Sequence, residues 1–96
     1  MTPPFSIDVT THYERFSDRL MDQHLEFENI SRRARDILCR DPYNRTRTHR
    51  IKKLKAVPFG EGQWRLSLGR FRFRYDIHDK KVVLQYCSLR REDTYR

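Results

Sequence analysis

Trp64-Arg65-Leu66-Ser67-Leu68-Gly69-Arg70-Phe71-Arg72-Phe73-Arg74-Tyr75 is the stretch on which the architecture turns. Trp64, Leu66 and Leu68 alternate with Arg65 and Ser67; past Gly69, Phe71, Phe73, Tyr75 and Ile77 alternate with Arg70, Arg72, Arg74 and Asp76. Successive side chains leave a strand on opposite sides, so a period of two marks a strand with one buried face. Two half-buried strands therefore meet near Gly69. With the phase fixed by the aromatics, Arg65 and Arg72 project to the same solvent side of adjacent strands, close enough to grip one phosphate. Phe71, Phe73 and Tyr75 read as core, not as a platform for stacking bases.

Outward from this pair, His78-Asp79-Lys80 supplies a turn and Lys81 to Cys87 a further apolar strand, whose inward face alternation does not settle. The tail from Leu89 to Arg96 is polar. Upstream, Pro58-Phe59-Gly60-Glu61-Gly62 is a turn, and Ile51 to Val57 is a strand edged with lysines. Tyr43 to Arg50 alternates Arg with Thr and has no apolar period, which makes it a basic connector with some mobility. Phe27, Ile30, Ala34, Ile37 and Leu38 recur at helical spacing in a helix ending before Asp41-Pro42. Thr11-His12-Tyr13-Glu14 has the capping-box pattern, followed by Tyr13, Phe16 and Leu20 on one face of a shorter helix. Phe5 to Thr10 alternates again as a first strand, and Pro3-Pro4 keeps a helix from preceding it.

The order β-α-α-β-β-β(-β) gives an α+β fold, with two N-terminal helices on one face of a twisted, mostly antiparallel sheet. At 96 residues the chain has room for a single domain, 1–96, with any site on its surface. The net charge of +8 is unevenly spread. Residues 1–30 carry 2 basic and 6 acidic side chains, residues 31–55 carry 10 and 2, and residues 56–96 carry 9 and 5. A basic patch of this kind favours polyanions, nucleic acid foremost, over an anionic membrane or an acidic protein. Cys39 and Cys87 are too far apart for a zinc pattern and lack the density of a disulfide framework. His12, His24, His49 and His78 have no ligand spacing, so no metal is expected. Neither a membrane span nor a signal-peptide layout is present in the sequence, so a cytoplasmic location is expected.

The twelve residues from Trp64 to Tyr75 resemble the W-R-hydrophobic-x-hydrophobic-G-x-aromatic-R-hydrophobic-x-Y signature of the RelE/ParE superfamily, toxins of type II toxin–antitoxin systems. Lys53-Leu54-Lys55 precedes the signature. The tail Arg90-Arg91-Glu92-Asp93-Thr94-Tyr95 is similar to that of the RelE-like, mRNA-cleaving branch. The resemblance implies a ribosome-dependent endoribonuclease, in which a 2′-hydroxyl attacks the adjacent phosphate of mRNA held in the ribosomal A site, with no metal and no cofactor. Carried over by position, it implies catalytic roles for Arg65, Arg72, one of Arg90 and Arg91, and Tyr95. Tyr95 would stack on a base or position the nucleophile. Ser67 departs from the pattern, since some members hold a second cation there.

The basic residues Arg32, Arg33, Arg35, Arg45, Arg47, Arg50, Lys52, Lys53 and Lys55, with Arg74, would then contact ribosomal RNA phosphates. Such contacts position a protein without reading sequence. The implied partners are ribosome, mRNA and an acidic, partly disordered antitoxin segment, with the toxin alone monomeric and joined in a higher-order complex by its antitoxin. Two other readings stand beside this one. A ParE-like inhibitor of DNA gyrase would share the core signature without needing the tail tyrosine, and a non-catalytic RNA-binding module would spread its phosphate contacts.

Overall fold

The computed structural model describes residues 3–90. Seven elements follow in order: β1 (Ser6–Val9), α1 (Thr11–Gln23), α2 (Phe27–Arg40), β2 (Ile51–Lys53), β3 (Trp64–Leu68), β4 (Phe71–His78) and β5 (Lys81–Leu89). The strands form one sheet in the order β1-β5-β4-β3-β2. Only β1 and β5 run parallel, so the expected mostly antiparallel α+β arrangement holds, with both helices over one face.

Apolar residues at helical and strand periods meet between the two layers. Tyr13, Ser17 and Leu20 line the buried side of α1, and Phe27, Ser31, Ala34 and Leu38 that of α2. Opposite them lie Leu66, Phe71, Phe73, Tyr75, Val82, Leu84 and Cys87. Phe27 meets Phe71 edge to face at 5.1 Å and stacks on Phe73 at 6.0 Å. Phe16, Ile30 and Ile37, placed on the core faces from sequence, pack at its margin.

Local chemistry moves several boundaries. The cap of α1 is Thr10, not Thr11: its backbone is extended and its hydroxyl accepts the Tyr13 amide at 2.9 Å. Glu14 is then one position too late for a capping box. The strand expected over 51–57 stops at Lys53, because the chain turns away at Ala56, whose φ of 60° lies in the left-handed region. The last strand runs two residues past Cys87.

The basic connector is also more firmly held than its composition indicates. The Asp41 carboxylate accepts the Arg45 amide at 2.7 Å, the Thr46 amide at 3.2 Å and the Thr46 hydroxyl at 2.6 Å. Asn44 exchanges two hydrogen bonds with the His49 backbone. Partial burial acts to raise the Asp41 pKa, but the Thr46 hydroxyl and the two amides outweigh it and hold the carboxyl below its usual range.

Burial pushes the Cys87 thiol from 9.0 up to about 12. Burial, with the nearby Cys87, pushes the Tyr13 phenol from 10.0 up to about 12. Both groups are kept neutral by the fold, so their contribution to stability is complete below the unfolded values and declines as the pH climbs toward the folded ones. Urea unfolding is therefore expected to show a loss of stability that begins near pH 9 and deepens through about pH 12. Cys87→Ala should remove the portion that starts near pH 9, and an unchanged alkaline profile in that variant would contradict the assignment.

Candidate nucleic-acid interface

The sheet face away from the helices carries the cations, and strand register arranges them in rows. Lys52 stands opposite Arg65, Arg65 opposite Arg74, and Arg74 opposite Tyr86. One line across β2, β3, β4 and β5 thus holds three cations and a phenol. In the adjacent row Ser67 stands opposite Arg72, and Arg72 opposite Ser88. Arg65 is the diagonal neighbour of Arg72 across the β3–β4 pair, a relation that spans about 7–8 Å in antiparallel sheets.

Like charges placed directly across a sheet repel one another, and the Lys52, Arg65, Arg74 row concentrates positive charge on this face. Arg72 stands in the neighbouring row. Its Nε is screened from water and has no hydrogen-bond partner among the described residues. A buried donor in that state costs about 1–3 kcal/mol. Arg70 differs: it pairs with Glu26, whose carboxyl is held low by that hydrogen bond.

Arg74 has a structural duty as well. Its Nε donates to the Gly62 carbonyl at 2.7 Å and its Nη2 to the Glu61 carbonyl at 3.0 Å. Behind it, the buried Asp76 accepts the amides of Gly60 (2.9 Å), Gly62 (3.1 Å) and Gln63 (2.9 Å), and the Gln85 side chain at 3.1 Å. These bonds clamp loop 58–63 against the edge of the cationic face. Gly62 is required there, since its φ is +83° and a Cβ would lie 2.7 Å from that of Arg74. Gly62→Ala is expected to cost about 2–3 kcal/mol, from left-handed strain together with displacement of the arginine. Equilibrium unfolding measures this, and a loss below 0.5 kcal/mol, roughly that of a neutral surface change, would contradict the clamp.

Alternation carries the Arg90 side chain to the same side as Arg72 and Ser88, and its amide donates to the Arg70 carbonyl at 2.5 Å. Arg91 and Tyr95 lie outside the described residues. The basic residues outside the sheet's core rows do not form a single surface with it. Lys53 is opposite Trp64, on the helix side of the sheet, with its ammonium 5.6 Å from the indole. Arg33 and Arg50 border a groove along the β3 edge beside Ile37 and His49, and Arg32 lies next to it, paired with Glu28 at 3.2 Å. Arg35 faces the α1 side, where its charge reaches Tyr13. Arg45 covers the Tyr43 ring at 5.2 Å, while Arg47 and Lys55 are exposed on the flanking loops.

Asp76 and Tyr86 escaped the sequence reading. Asp76 occupies an outward position in the alternation, and only the nearby Gly60-Glu61-Gly62 hints at amides needing an acceptor. Tyr86 is hidden by a bulge: Tyr75 pairs with Leu84 while Arg74 pairs with Tyr86, so Gln85 is an extra residue. Such an insertion re-aims side chains and reverses the alternation.

Among the described residues no group of three or more His, Cys, Asp or Glu is placed to hold a metal ion. No helix among them is long and apolar enough to cross a membrane. No protein-family model matches the sequence, nor does any curated protein. A solved structure does: a chain of the crystal structure of the archaeal RelE–RelB complex from Pyrococcus horikoshii OT3 superposes with a TM-score of 0.67 at 20% identity. The match spans 93% of this chain and 98% of that one. With the helix pair, the strand order and the cationic face in hand, the similarity shows that this protein has a RelE-like fold.

Proposed function

We propose that the protein is the toxin of a toxin–antitoxin pair and cleaves mRNA in the ribosomal A site. The observation that carries this reading is that Arg65, Arg72 and Arg74 share the sheet face away from the helices, with Lys52 extending the row. The structural neighbour, a RelE–RelB complex, supports an antitoxin partner.

The chemistry follows from the charge. Attack of a 2′-hydroxyl oxygen on the neighbouring phosphorus forms a five-coordinate centre with added negative charge. Its collapse breaks the bond to the 5′ oxygen, leaving a 2′,3′-cyclic phosphate and a 5′-hydroxyl end. Rigid guanidinium donors stabilise that centre more than the ground state. Arg72 is the best placed donor, and Arg65 is the second cation, reaching the same phosphate diagonally. Ser67 directly opposite Arg72 adds a hydroxyl and no charge. One of the tail arginines Arg90 and Arg91, with Tyr95, would complete the site, Tyr95 by stacking on a base or orienting the nucleophile. The remaining basic residues would position the protein on ribosomal RNA.

Expression in bacteria with mapping of transcript ends tests the reading. Codon-phased cuts that appear only during translation are expected, with growth arrest relieved by Tyr95→Ala as well as by loss of Arg72. DNA damage with intact transcripts would instead indicate gyrase inhibition, and neither outcome would indicate RNA binding without cleavage.

A further inference from the structure

Beyond Arg74 the cationic face opens into a groove of about 390 Å³, bounded by His12, Glu61, Arg74, Gln85 and Tyr86. Three features of the fold build it. The β5 bulge turns Gln85 and Tyr86 toward it, the Asp76 anchor fixes Gly60 and Glu61 as one wall, and the start of α1 supplies the other. The Tyr86 and His12 rings are inclined by only 21°, with centroids 6.3 Å apart. Phe16 packs edge to face against both, at 4.8 Å from each, and the Arg19 guanidinium lies 5.5 Å from the Phe16 centroid. A cluster of three rings, Phe16, His12 and Tyr86, therefore lies between the Arg19 and Arg74 cations, the composition of surfaces that hold single-stranded nucleic acid.

The groove is ill suited to a bare phosphate. Among the described residues Arg74 is its one arginine or lysine, two donors of that residue already serve the loop, and Glu61 brings a negative charge to its lining. A flat ring with N–H groups at its edge fits better. Arg72 and Arg74 stand two residues apart on β4, about 7 Å, so a backbone held at Arg72 reaches the groove with the next nucleotide.

We infer that the groove is a nucleobase subsite, in which an unpaired RNA base stacks against Tyr86 and His12 while its backbone crosses Arg74 toward Arg65 and Arg72. Guanine suits it best, because its adjacent ring N–H and amino group present two donors to the Glu61 carboxylate, which can only accept. The inference rests on the RNA reading above and deepens it by naming what lies beside the scissile phosphate.

Titration of the ¹⁵N-labelled full chain with 5′-guanylate and with ribose 5-phosphate separates base from phosphate. Guanylate is expected to bind about tenfold more tightly, shifting the amides of Gly60, Glu61 and Tyr86. His12→Ala, at an exposed position, and Tyr86→Leu, which keeps an apolar side chain, should each erase most of that advantage with the rest of the spectrum preserved. Glu61→Gln should weaken guanylate while leaving uridylate unchanged. Equal affinities for guanylate and ribose 5-phosphate, or shifts confined to β3 and β4, would overturn the subsite. No ribosome enters this experiment: a chain that binds guanylate but cuts no mRNA refutes the nuclease and keeps the subsite, and the converse refutes the subsite alone.

Discussion

Arg72→Ala is expected to slow A-site mRNA cleavage about a hundred- to a thousandfold, or about 3–4 kcal/mol in the barrier, the usual consequence of removing one preorganised donor. Little stability should be lost with it. The Arg72 Nε has no partner among the described residues, so the substitution deletes an unfavourable burial along with some packing of the stem, a net change of under about 1 kcal/mol. Arg72→Lys should recover only part of the rate, since an ammonium cannot offer two parallel donors to one phosphate. Arg70→Ala is the control. It breaks an exposed pair with Glu26 at the same end of β4 and should leave cleavage within a few-fold. Single-turnover cleavage and urea unfolding on the same four proteins measure both quantities, and equal loss in the Arg70 and Arg72 variants would count against the site.

The second large effect concerns Asp76. Its two oxygens satisfy three backbone amides and one side-chain amide, all from loop 58–63 and the β5 bulge. Asp76→Ala is expected to cost about 3–4 kcal/mol, because several donors lose their acceptor at once and the loop must open to hydrate them. Asp76→Asn keeps one acceptor oxygen and should cost roughly half of that. Hydrogen exchange provides the specific readout. In the alanine variant the amides of Gly60, Gly62 and Gln63 should exchange far faster, while those at the β3–β4 ladder slow or unchanged relative to the lowered global stability mark an intact sheet. Uniform acceleration throughout the chain would mean that Asp76 stabilises the whole fold and not this loop.

The arginine face was legible because it depends on a local rule. Apolar residues at every second position, from Trp64 to Leu68 and again from Phe71 to Tyr75, commit one side to the core, and the residues between have nowhere to go but out. The same rule puts Arg65 and Arg72 on one side of the sheet, where the register has them in adjacent rows. Helix α2 was legible for the same reason, with Phe27, Ala34 and Leu38 repeating at its period up to Asp41-Pro42.

What stayed hidden depends on partners distant in sequence. The bulge at Gln85 breaks the alternation of β5, which is why its inward face could not be read and why Tyr86 passed unnoticed. The parallel pairing of β1 with β5 joins residues some 75 positions apart, and no short-range pattern encodes it. Lys52 and Lys53 look alike in sequence, yet only register tells that one shares a row with Arg65 while the other covers Trp64. Arg74 reads as one more solvent cation until the Glu61 and Gly62 carbonyls are seen to hold it.

One measurement bears most directly on the cationic rows. Purified protein is mixed with ribosomes stalled on a defined mRNA with an empty A site, and the ends of any fragments are characterised. The account predicts a cut within the A-site codon, leaving a 2′,3′-cyclic phosphate upstream and a 5′-hydroxyl downstream, abolished by Arg65→Ala with Arg72→Ala. Intact mRNA after many ribosome equivalents of protein, or fragments bearing a 3′-hydroxyl and a 5′-phosphate, would contradict it.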